Sequence, residues 1–160
     1  MKMSIKKTNA ARLLDNMNIP YDLKEYPVDE NDLSAEAISA KIGLDVHQVF
    51  KTLVLRGNTN GIFVIVLPGD CEVNLKKAAK VSGNKSAAMV HMKELRGLTG
   101  YIRGGCSPLG MKKEYPVFIQ KSCLDFDSIY VSGGKRGLQL FLKPKDLIRA
   151  AKCEVCDIIE

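Results

Sequence analysis

The sequence predicts a single α+β domain, residues 1–160, built around a mixed, curved sheet. Three observations carry that expectation. The chain has 160 residues, 46% of them hydrophobic and 26% charged, which suits one globular core; a chain of this size hides roughly 70% of its unfolded surface. Period-two apolar runs and period-3.6 apolar stripes alternate irregularly, without the repeating strand–helix–strand order of a parallel α/β fold. No internal repeat, linker or low-complexity stretch divides the chain.

Taken in order, Thr8 or Asn9 caps a helix whose stripe is Ala10, Ala11, Leu13, Leu14 and Met17, stopped by Pro20. Residues 21–26 read as a short strand ending at Pro27, followed by the polar loop 29–32. Ser34 caps a helix through Lys41, with Gly43 as its C-terminal glycine. Residues 49–56 form a β run, the turn 57–61 follows, and 62–67 is its hairpin partner. Asn74 caps a helix over 75–81, closed by Gly83, and His91 starts another. Short strands are expected at 87–90, 101–102, 117–119, 129–131 and 138–142. A last helix begins near Pro144.

Composition narrows the function. No apolar run approaches the ~20 residues of a membrane helix. The basic start, residues 1–7, is not followed by a continuous apolar segment, because Asp15 and Asn16 interrupt it, so a signal peptide is not expected and the cytoplasm is. Five scattered cysteines fit a reducing compartment better than a disulfide framework. Cys153 and Cys156 have metal-ligand spacing, but there is no second pair and both histidines lie far off in sequence, so a terminal structural element is the preferred reading and no metal is expected. The net charge of +6 and a pI near 9.1 point to an anionic partner. Cations recur in small groups beside turns (Lys76, Lys77 and Lys80; Lys112 and Lys113; Lys135 and Arg136; Lys143 and Lys145), which in sum favours nucleic acid, although each group alone reads as solvated lysine.

The most informative stretch is Tyr130-Val131-Ser132-Gly133-Gly134-Lys135-Arg136-Gly137. Glycines after a strand let the backbone approach a ligand closely and point successive N–H groups at one anion, and Ser132 adds an adjustable hydroxyl. A second loop of the kind, Gly104-Gly105-Cys106-Ser107-Pro108-Leu109-Gly110, lies upstream. Hairpin turns use the same residues, so either loop alone is weak evidence. Lys51 is the side chain that the strand pattern singles out. It shares a face with Val49, Leu53 and Leu55 in a strand apolar on both faces, so it either snorkels at the sheet's rim or points into a pocket with an anionic partner. No serine-hydrolase elbow, zinc-protease helix, P-loop or dinucleotide fingerprint occurs, and no cofactor is expected. Cys106 is the best protein nucleophile on offer, but a small buried thiol is the preferred reading.

Four segments, 48–53, 99–101, 104–110 and 130–137, occur together in the order and spacing of the YbaK family. The chain resembles these free-standing Cys-tRNA(Pro) deacylases along nearly its whole length. The same fold recurs as the editing domain of bacterial prolyl-tRNA synthetases. The resemblance implies a barrel-like mixed sheet flanked by helices. It also implies a trans-editing enzyme that clears cysteine from tRNA(Pro), because a synthetase discriminates such similar side chains by only ~1–3 kcal/mol. The partner implied is the acceptor end of aminoacylated tRNA(Pro), with prolyl-tRNA synthetase as a further one. By the same resemblance, Lys51, Gly104, Ser132 and Gly134 are the catalytic positions. Tyr26, Gly105, Gly133, Lys135, Arg136 and Gln139 are substrate-binding positions. The family chemistry uses the substrate's own thiol as nucleophile, which accounts for the lack of one in the protein.

Two departures stand out. Gln139 occupies the position where many members carry an aspartate, which weakens a carboxylate contact to the substrate amine. Cys106 stands where an aliphatic residue is expected, which argues against a catalytic thiol. Two alternatives compete: a deacylase of another mischarged tRNA, such as an alanyl one, and a non-catalytic RNA- or synthetase-binding module. Retention of Lys51 with both glycine loops favours an enzyme.

Overall fold

A run of eight residues, Gly61–Pro68, is apolar on both faces, and this strand becomes the axis of the fold. The computed structural model describes residues 7–160, so the basic start at residues 1–6 lies outside the described residues. The elements are α1 (Asn9–Asn16), β1 (Asp22–Glu25), α2 (Ala35–Ile42), β2 (Phe50–Gly57), β3 (Gly61–Pro68), α3 (Leu75–Val81), β4 (Ala87–Met89), α4 (Met92–Thr99), β5 (Val117–Gln120), β6 (Ile129–Ser132), β7 (Leu138–Leu142), α5 (Pro144–Ala151) and β8 (Cys153–Cys156). One-turn 3-10 helices sit at Val46–Gln48 and Lys121–Asp125.

Side-chain caps fix the helix starts. The hydroxyls of Thr8 and Ser34 and the amide oxygen of Asn74 each accept a backbone N–H of the first turn. Gly43 closes α2 in the left-handed conformation (φ 70°), as its position in the sequence predicts. Residues 101–102 are not the strand that the sequence suggested. Gly100 caps α4 with φ 85°, and the Tyr101 N–H turns back to the Thr99 hydroxyl at 3.0 Å. The Tyr101 hydroxyl then donates to the Leu109 carbonyl at 2.6 Å, so this segment becomes a pinned loop.

The strands form a five-stranded mixed sheet in the order β4-β2-β3-β5-β8 and a three-stranded antiparallel sheet in the order β1-β7-β6. β3 pairs antiparallel with β2 and parallel with β5, and β5 pairs parallel with β8. Among the described residues the two sheets meet at one parallel bridge, Val49 with Tyr130. They do not close into a barrel, which corrects the barrel-like expectation. Beyond that bridge, β2 gains no strand on this edge among the described residues until Leu55 pairs with Met89 of β4. One core fills the space between the sheets, with Phe50, Val54, Val64 and Val66 against Val131, Leu140, Leu14 and Leu147. The other lies behind the larger sheet, where Leu55, Phe63, Ile65 and Leu67 meet Ala78 of α3 and Ile158. No helix among the described residues is long and apolar enough to cross a membrane.

Candidate active site

The break in pairing along β2 opens a cleft of about 350 Å³, bordered by the start of α2 and by Arg103 and Gly104 of the first glycine loop. Strand register sets its polar side chains. Gln139 of β7 pairs directly with Ser132 of β6. Carried two residues beyond the Val49–Tyr130 bridge, the parallel register brings Lys51 of β2 alongside Ser132. Lys51, Ser132 and Gln139 thus stand in one row across the junction of the two sheets, and all three line the cleft with Gly104.

Lys51 is half-buried, and its ammonium donates to the Gly69 carbonyl at 3.2 Å. One bond to a lysine that has three donors leaves capacity for an anion. The Ser132 hydroxyl accepts the Gly134 N–H at 3.2 Å, which orients it. Gln139 is 3% exposed, and its side-chain oxygen is buried without a hydrogen-bond partner. The Thr52 hydroxyl is in the same condition and also borders the cleft. Buried polar atoms without partners are uncommon and expensive, so two beside one cleft single it out as the candidate site. Glu36 and Glu72 carry negative charge at the cleft, opposite in sign to Lys51 and Arg103. Such a lining suits a molecule with both an ammonium and a phosphate.

The remaining residues named from the sequence fall into two groups away from the cleft wall. Gly105, Gly133 and Gly134 are in the interior of the loops. A Cβ on Gly105 would come within 2.9 Å of the Lys135 Cα, one on Gly133 within 2.7 Å of the Leu138 side chain, and one on Gly134 (φ 98°) within 3.1 Å of the Tyr101 ring. These glycines let the two loops pack on each other and on the core. Tyr26, Lys135 and Arg136 line an outer recess of about 530 Å³. Arg136 ties the loops together through a 2.8 Å hydrogen bond from Nε to the Arg103 carbonyl. Tyr26 and Arg136 reach Gly104 across a narrow gap, so recess and cleft adjoin. Thr52, Arg103, Glu36 and Glu72 are not singled out in the sequence: Thr52 sits inside segment 48–53 but beside the more conspicuous Lys51, and no motif marks the other three.

Among the described residues the cleft holds no paired nucleophile and base. Cys106 is 8% exposed, and burial pushes its thiol up to about 12, partly offset by a hydrogen bond with Thr99. At neutral pH it is a protonated thiol and a poor nucleophile. His47 belongs to a different contact, with Nδ1 2.9 Å from the Asp70 carboxylate. Cys153 and Cys156 lie three residues apart on β8, so they point to opposite faces, and among the described residues no cluster of three or more metal-ligating side chains forms.

Residues 29–150 match the aminoacyl-tRNA editing domain family, and the chain belongs to it. Its substrate is therefore an aminoacylated tRNA, and its activity is deacylation of that ester. The chain is 43% identical over 157 residues (98% of this chain, 96% of the relative) to an Enterococcus faecalis protein named "Putative Cys-tRNA(Pro)/Cys-tRNA(Cys) deacylase EbsC". It is 28% identical over 126 residues, 79% of this chain and 78% of the relative, to the uncharacterized protein YwhH of Bacillus subtilis. The crystal structure of "a putative trans-editing enzyme for prolyl tRNA synthetase" superposes with a TM-score of 0.85 at 24% identity, covering 98% of this chain and 99% of that one. A hypothetical protein superposes with a TM-score of 0.87 at 22% identity, covering 96% and 100%. These two likenesses establish the fold.

Proposed function

We propose that the protein removes cysteine from mischarged tRNA(Pro), and that the thiol of the cysteinyl group is the nucleophile. The observation that carries this reading is the composition of the cleft: a cation, a hydroxyl and an amide in one row, with no activated protein nucleophile beside them among the described residues. An enzyme so equipped can position an ester and stabilise charge, and the attacking group then comes from the substrate. The name of the Enterococcus faecalis relative supports cysteine as the amino acid and proline tRNA as one carrier.

In this mechanism Lys51 holds the terminal phosphate or ribose, and Gly104 and Ser132 meet the carbonyl as it becomes an oxyanion. Gln139 faces the aminoacyl group, with Glu36 and Glu72 favouring its ammonium. Tyr26, Lys135 and Arg136 receive the RNA backbone along the outer recess, and Gly105, Gly133 and Gly134 keep the loops close enough for that surface to form. The substrate sulfur bonds to its own carbonyl carbon, and the ester C–O bond breaks. The leaving ribose oxygen takes up a proton, giving free tRNA and a cyclic thiolactone that water then opens. Prolyl-tRNA synthetase, which releases the mischarged tRNA, is the further partner this reading suggests.

The test is a panel of aminoacylated tRNAs incubated with the protein while loss of each ester is followed. Cysteinyl-tRNA(Pro) is expected to be cleaved and prolyl-tRNA(Pro) spared. No acceleration over the spontaneous rate for the cysteinyl ester, with another mischarged tRNA cleaved instead, would replace cysteine by that amino acid.

A further inference from the structure

The cleft does not stop at β2. On the far side of the same strand edge is a second, mostly apolar groove of about 370 Å³, within the range of small-ligand sites, roughly 300–1,000 Å³. The two cavities share Thr52, Leu53, Arg103, Gly104 and Cys106, so they are halves of one groove running across the strand. Met89, Val90, Met92 and Leu95 line the second half. Met89 is 49% and Met92 60% exposed, a large share for apolar side chains grouped on one wall.

The strand edge between the halves carries unused hydrogen-bonding groups. The Val54 carbonyl on that edge accepts the Val90 N–H at 3.1 Å. Backbone polarity repeats every two residues along a strand, so Thr52 aims its N–H and C=O at the same edge. Among the described residues no strand pairs there between Val49 and Leu55. The Thr52 hydroxyl is buried without a partner as well. Arg103, at the junction of the halves, forms no ion pair among the described residues. A ligand for this half thus needs a flat, largely apolar body, an edge with a donor beside an acceptor, and a nearby negative charge.

We propose that this second half is the subsite for the terminal adenine of the tRNA, read at its amino edge by the backbone of Thr52. The inference rests on the editing function: every substrate joins its amino acid through one ribose to that adenine, so a base-sized groove must adjoin the ester cleft. The adenine amino group donates to the Thr52 carbonyl, and the adjacent ring nitrogen accepts the Thr52 N–H. Met89 and Met92 cover the ring faces with polarizable sulfur. Arg103 faces the phosphate on the 5′ side.

The test has a binding arm and a rate arm. With methionine methyl groups labelled with carbon-13, titration with AMP is expected to shift the Met89 and Met92 signals. UMP, which has the phosphate without the purine, is expected to bind at least about fivefold more weakly, and Met92→Glu to weaken the AMP-dependent shift of Met89. In the rate arm, the cysteinyl ester of adenosine is compared with that of inosine, which exchanges the donor and the acceptor. Losing two such hydrogen bonds is expected to lower kcat/KM roughly tenfold. Equal rates for the two nucleosides, or methionine signals that respond alike to AMP and UMP or to neither, overturn the subsite. Failure to cleave any cysteinyl ester while AMP still shifts Met89 and Met92 removes the cysteine-editing reading and leaves the subsite standing.

Discussion

The strand row Lys51, Ser132 and Gln139 and the glycine loops 104–110 and 133–137 are both polar, both adjacent to the cleft and both conspicuous in the sequence, yet they do different work. The row puts side chains into the cleft and leaves some of their hydrogen-bonding capacity unused. The loops use most of their glycines against each other: Gly105 backs onto Lys135 and Arg136, Gly133 onto Leu138, and Gly134 onto Tyr101. A glycine-rich loop need not be a cradle for a ligand. Here only Gly104 of the four glycines in question borders the cleft, and the others permit the close packing that holds it in place. Damage to the row should therefore cost activity at little cost in stability, and damage to the loops the reverse.

The sharpest separation comes from Lys51→Ala. Its ammonium makes one bond to a carbonyl at the cleft wall, so the fold should tolerate the change. Deacylation should fall by roughly 10²-fold, the scale of loss when the group that positions the reacting ester is removed. Thermal unfolding and single-turnover rates measured together check this. Near-normal rates in a folded variant would return Lys51 to the role of a rim lysine.

Gly105→Ala should show the opposite signature. A methyl group 2.9 Å from the Lys135 Cα meets backbone rather than a movable side chain. Overpacking of this kind costs about 1–3 kcal/mol, to be read from urea unfolding. Unchanged stability with lost activity would mean that the loop serves the ligand directly.

Gln139→Asp probes the row more finely. A carboxylate in that place would bind an ammonium by a charge-assisted bond instead of a neutral one. The rate ratio of cysteinyl to N-acetylcysteinyl ester should rise roughly tenfold. An unchanged ratio would detach Gln139 from the amine.

Much of this architecture can be read in the sequence, for local reasons. Thr8, Ser34 and Asn74 declare helix starts, and the two-faced apolar run at 61–68 declares a central strand. Lys51 stands out because a charge interrupts a buried strand. What stayed illegible depends on register between distant segments. That Thr52 faces an unpaired edge follows from where β4 and β6 happen to join β2, nearly forty and eighty residues away. The partition of glycines into packing and cleft positions depends on one loop leaning on the other. Residues 101–102 misled because an apolar pair after a helix can serve a loop as well as a strand, once Tyr101 has partners at both ends.

If the protein positions the ester and the substrate supplies the nucleophile, no thiol of the protein is needed for cleavage. Cys106 is the sole thiol bordering the cleft among the described residues, and burial holds it up to about 12. Single-turnover rates of wild type and Cys106→Ala should be compared on cysteinyl-tRNA(Pro) and seryl-tRNA(Pro). The variant should cleave the cysteinyl ester within about threefold of wild type, and both proteins should cleave the seryl ester far more slowly, because a hydroxyl is a much poorer nucleophile near neutral pH. Loss of both activities in Cys106→Ala, with a covalent adduct trapped on Cys106 in the wild type, would contradict the claim.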